Sequence, residues 1–211
     1  VGMSDAAPSL LMIEEQVPSI VAVLDHLAVK QCDVFGIKTG AKLAAAVGAE
    51  RGERVRKAVL VNALLGSPPA LALAQASLQQ GTLGEELEHL SNMDEEGVHL
   101  ERRFQAWYAQ INNTKLATRF GSDMWCAEAC EADVRWTMMA AKCFDLRAAL
   151  LRMKQPTLIV QVPASPFYAM TLATQEVRDD FESAQLSTEL GFGFYDDASE
   201  LVAVVKAFLQ K

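Results

Sequence analysis

The sequence predicts an α/β protein, with a parallel sheet flanked by helices and interrupted by a long helical insertion. Three observations predict it. Helical and strand-like apolar patterns alternate from residue 13 to residue 62. From residue 67 to about residue 151 no β-rich run occurs. The alternation then resumes at residue 156 and continues to a helical pattern over 199–209.

Residues 13–27 (IEEQVPSIVAVLDHL) place Val17, Ile20, Val21, Leu24 and Leu27 at helical spacing, so one face is expected to pack on a sheet. Pro18 falls inside this run and is expected to mark the first turn, where a missing N–H is tolerated. Residues 33–37 read as a short strand, a glycine turn follows, and 41–49 is an alanine-rich helix. Residues 57–62 (KAVLVN) form a second, buried strand. Inside the insertion, helical patterns cover 71–78, 95–111 and 127–144. Beyond it, 156–162 (PTLIVQV) predicts a strand, 168–181 a helix, 186–192 a strand and 199–209 (SELVAVVKAFL) an amphipathic helix. The expected organisation is a sheet domain in two segments, 1–66 and 152–211, with a helical cap inserted over 67–151.

Composition excludes several function classes. Half of the 211 residues are hydrophobic, enough for a sizeable core. The net charge is −8 and the basic residues are scattered, which argues against nucleic acid as a partner. No apolar run reaches the ~18 residues of a membrane span, and VGMSDAAPSL has neither the charged start nor the apolar core of a signal peptide. Cys32, Cys126, Cys130 and Cys143 follow no disulfide-scaffold spacing, so a reducing cytoplasm is the expected compartment. Cys126 and Cys130 stand one helical turn apart without a neighbouring histidine, which favours a packed helix face over a metal site. No metal and no cofactor is expected.

The chemistry-bearing stretch is Gly36-Ile37-Lys38-Thr39-Gly40, a Gly-x-x-x-Gly turn between an apolar strand and a helix. Together with Gly2-Met3-Ser4-Asp5, the helix before the turn, ERVRKAVLVNA, LRMKQPTLIV and DDASELVAVVKAFL, it resembles the α/β-hydrolase fold superfamily, in its cap-bearing esterase, C–C hydrolase and dehalogenase branch. The resemblance covers nearly the whole chain and rests on the order and spacing of six weak motifs. It implies the C-terminal part of an α/β-hydrolase sheet, about four strands, with an upstream segment or a partner chain completing it. The strand from Asp33 to Ile37 then becomes an open edge, through which a homo- or hetero-oligomer is expected to form.

The resemblance also assigns a Ser-His-acid triad, and this sequence departs from it at each position. Lys38 stands at the nucleophile. Ser165 stands at the acid, with Asn62 near a second place where that acid can lie. The histidine falls at about Phe192, in LGFGFYDD, which contains none. The three histidines, His26, His89 and His99, all precede that position, and recruitment of a cap histidine is the minority reading. The Thr39 backbone N–H keeps the oxyanion-binding role that the resemblance implies. Asp196 and Asp197 directly precede the last helix and read as capping residues.

Trp107, Trp125 and Trp136 are candidates to line a small-molecule pocket under the cap, although aromatics at helical spacing more often belong to a core. The expected function is a binding or assembly subunit with a degenerate triad. The alternative is a hydrolase or lyase with altered chemistry on a carbonyl or ester substrate, using Lys38 or residues of a partner chain.

Overall fold

The computed structural model describes residues 9–86, 134–188 and 197–211. Four strands, β1 (Cys32–Ile37), β2 (Val55–Val61), β3 (Thr157–Gln161) and β4 (Glu182–Gln185), pair in the order β1-β2-β3-β4. Every pairing is parallel. The register aligns Ile37, Val61, Val160 and Ala184 in one row across the carboxyl ends of the strands.

Alternation along the strands divides the core into two layers. Ala58 and Leu60 of β2 and Ile159 of β3 face α1 (Ile13–His26) and α2 (Thr39–Glu50). Val59, Val61, Leu158 and Val160 point the other way, onto Leu201 and Phe208 of the last helix, Ser199–Leu209. β2 and β3 are covered on both faces, which explains why they read as continuous apolar runs.

Between β2 and β3 the described helices are α3 (Pro68–Gln80), α4 (Leu83–Glu86), α5 (Val134–Cys143) and α6 (Leu146–Arg152). α3 begins with a Ser67 cap and ends on Gly81 in the left-handed conformation. Leu146, Ala149 and Leu150 of α6 join the core beneath β2, and the boundary drawn at 151 falls within this helix. After β3 come α7 (Tyr168–Gln175), β4 and α8 (Ser199–Leu209).

Three local expectations differ from the structure. α1 starts at Ile13, five residues before Pro18. Ile13 and Val17 are one turn apart and both buried, and the Glu15 carboxylate accepts the Met12 N–H at 2.7 Å, so burial and capping outweigh the lost hydrogen bond. α7 ends at Gln175 rather than 181, because Arg178 leaves the helix to pair with Asp180 and to donate to the carbonyls of Leu150 and Met153. The fourth strand is Glu182–Gln185 rather than 186–192, whose last four residues lie outside the described ones. Its hydrogen bonds to β3 define it, not its side chains.

Lys57 closes the second layer. Its ammonium donates to the carbonyls of Phe208 (2.9 Å) and Leu209 (3.2 Å) at the end of α8 and lies 5.2 Å from the Phe208 ring centroid. A cation there complements the helix dipole. No helix among the described residues is long and apolar enough to cross a membrane.

Candidate functional site

β1 delivers the chain into a sharp turn, and α2 leaves it. Lys38, at the apex, has φ 53° and ψ −112°, a conformation that side chains with a Cβ rarely adopt. Its N–H donates to Val61 at 2.9 Å, and its carbonyl accepts from Ala41 at 3.0 Å, so the sheet and the helix together hold the strained residue. A Cβ on Gly36 would lie 2.1 Å from the Gly40 carbonyl oxygen, so only glycine lets the helix fold back this closely. Thr39 opens α2, which leaves its N–H among the helix-initial donors that lack an intrahelical acceptor.

The Lys38 ammonium is half-buried and lies 5.7 Å from the ring centroid of Phe167, in the loop after β3. Desolvation lowers its pKa from 10.5 to about 8. Ser165, on the same loop, is buried and serves the backbone. Its hydroxyl accepts the Phe167 N–H at 3.2 Å, and its carbonyl accepts the Tyr168 N–H at 3.0 Å. In that role it shapes the loop that carries Phe167.

Asn62 follows β2 directly, beside this turn. It is fully buried at φ 47°, its N–H donates to Val160 at 2.9 Å, and neither side-chain amide atom has a partner among the described residues. Lys38, Asn62 and Ser165 thus stand at the carboxyl ends of three adjacent parallel strands, where open α/β sheets bind ligands.

Trp136 is half-buried on α5. Trp107, Trp125, Phe192, His89, His99, Cys126, Cys130 and Asp196 lie outside the described residues. His26 is exposed at the end of α1, and Asp197 accepts the Ser199 N–H at 2.8 Å at the start of α8. Among the described residues no group of three His, Cys, Asp or Glu side chains is placed to hold a metal ion.

A cavity of about 460 Å³ opens beside the turn, between α3, the α5–α6 connection and the segment after β2. Lys42, one helical turn beyond Lys38, lines it, and its ammonium donates to the Ala141 carbonyl at 2.5 Å. Sequence reasoning missed Phe167 and Lys42. The i, i+4 spacing of Lys38 and Lys42 was a usable signal for the second, whereas nothing local pointed to Phe167.

No family model matches the chain, and no curated protein matches it. Solved structures do. A hydrolase from Pseudomonas aeruginosa PA01 superposes with a TM-score of 0.74 at 16% identity, over 100% of this chain and 76% of that one. An esterase from Exiguobacterium antarcticum gives a TM-score of 0.72 at 16% identity, over 100% and 78%. An alpha/beta hydrolase enzyme from a Medee basin deep-sea metagenome library gives 0.65 at 18% identity, over 100% and 76%. The strained strand-turn-helix, the parallel sheet and these superpositions agree: the chain has the α/β-hydrolase fold.

Proposed function

We propose that this protein is a non-catalytic member of the α/β-hydrolase fold that acts as a binding or assembly subunit. One observation carries the reading: the strained turn that presents a nucleophile in this fold holds Lys38, a cation against an aromatic ring. A serine mechanism also needs a histidine before the last helix, and no histidine follows His99. The assembly part of the proposal places a second polypeptide, a copy of this chain or another, beside β1, the end strand of the sheet among the described residues. A helical cap inserted after residue 66, a ligand pocket lined by Trp107, Trp125 and Trp136, and a cytoplasmic location belong to the same proposal.

Hydrolysis of activated esters tests it, with the wild type and Lys38→Ser side by side. Both are expected to match the buffer rate, since serine alone would lack a base. Turnover by the wild type would remove the reading.

A second reading is favoured by the depressed Lys38 pKa, which leaves part of the amine neutral near neutral pH. Here the neutral amine adds to a carbonyl carbon, the carbinolamine loses water, and an imine to the substrate results. Borohydride would supply hydride to that imine and fix it as a secondary amine. A Lys38 adduct by peptide mass spectrometry supports this chemistry, and its absence across aldehydes and ketones sinks it.

A further inference from the structure

The cavity beside the turn has a character that the turn does not explain. Lys38 does not line it. Its walls are the side chains of Leu65, Leu71, Leu83, Phe144 and Met170, an apolar surface of the kind that receives a hydrocarbon tail. Its volume of about 460 Å³ lies within the range of small-molecule sites.

The charges among its described lining residues are unbalanced. Lys42, Lys142 and Arg147 contribute three cations and Asp145 a single carboxylate. That carboxylate is engaged, since it accepts the Ala148 N–H at 2.9 Å and caps α6. None of the three cations has an ion pair among the described residues. Lys42 is half-buried and fixed by its bond to Ala141, whereas Lys142 and Arg147 are exposed. Three cations to one carboxylate among the described lining residues, on a chain of net charge −8, is a local inversion of sign.

We infer that this cavity binds an amphipathic carboxylate, a straight-chain fatty acid of about eight to twelve carbons in keeping with its volume. The tail lies along Leu71, Leu83 and Phe144, and the head meets Lys42, Lys142 and Arg147. A guanidinium and two ammonium groups supply charge-assisted bonds that an uncharged alcohol of the same length cannot match. The inference rests on the reading of the chain as a binder, and names the class of its ligand.

Titration calorimetry of the intact chain with octanoate, and with octan-1-ol as the uncharged control, tests it. Octanoate is expected to bind about tenfold more tightly than octanol, or better. The double variant Lys142→Glu/Arg147→Glu changes exposed side chains only, so an unchanged circular dichroism spectrum is expected. It should weaken octanoate by a similar factor and leave octanol unaffected. Equal affinity for acid and alcohol, an octanoate affinity indifferent to the double variant, or no binding of either compound would overturn the inference. Ester turnover by the wild type would overturn the non-catalytic reading yet leave these affinities in place, so the two failures are distinguishable.

Discussion

The carbonyl of Gly40 occupies the space that a side chain on Gly36 would need, 2.1 Å from where its Cβ would be. A Cβ on Gly40 would meet nothing within 4 Å among the described residues beyond its chain neighbours and its own helix backbone. The two glycines of one motif therefore carry different constraints. The first is required by backbone contact, and the second is a helix residue that happens to be small.

Gly36→Ala and Gly40→Ala should separate cleanly. The first forces backbone apart and is expected to cost about 3 kcal/mol or to prevent folding. The second should be neutral or stabilising by up to about 1 kcal/mol, through lower chain entropy when unfolded and better helix propensity. Urea midpoints of the two variants decide it.

Lys38 predicts a pH dependence of known sign. Its pKa is about 8 in the folded chain and 10.5 when exposed, so the unfolded state binds more protons between those values. Its contribution to stability is therefore least favourable below about pH 8 and improves as pH rises towards 10.5. Lys38→Met keeps the backbone strain and removes the charge. It should be more stable than the wild type at pH 7, with the difference shrinking by pH 10. A constant difference across that range would show that desolvation of the ammonium is not the cause.

Asn62 places an amide with no partner among the described residues in the core at a positive φ. Glycine keeps the backbone conformation and removes the amide, relieving a burden of about 1–3 kcal/mol. Against this stands a small loss of packing and of unfolded-state restriction. Asn62→Gly is expected to be at least as stable as the wild type by thermal melting, and Asn62→Ala less stable than Asn62→Gly, because alanine tolerates that φ poorly.

Lys57→Met should release the end of α8. Two charge-assisted bonds to the carbonyls of Phe208 and Leu209 are lost, and a decrease of about 1–3 kcal/mol is expected. Hydrogen exchange should rise first in the last turn of α8 if the loss is local.

Much of this was legible from residue order. β2 and β3 announce themselves because both faces are covered, so nearly every side chain is apolar. The turn at Gly36–Gly40 is legible because Gly36 cannot be replaced without moving backbone. β4 is not, since Glu-Ser-Ala-Gln has no strand preference and takes its conformation from bonds to β3. The meeting of Lys38 with Phe167 is illegible for a related reason: residues 129 positions apart come together only when β1 and β3 flank β2. The orphaned amide of Asn62 is a property of its surroundings, and no pattern of neighbours in sequence announces it.

The two outermost strands among the described residues are unequal. β4 is short, and Glu182 on it pairs with Lys211, whereas β1 is longer and leaves Phe35 half exposed. A strand added to β1 would run about 4.8 Å from it. The Lys38 ammonium lies against Phe167, after β3 and on the far side of β2, so docking on that flank would leave its titration unchanged.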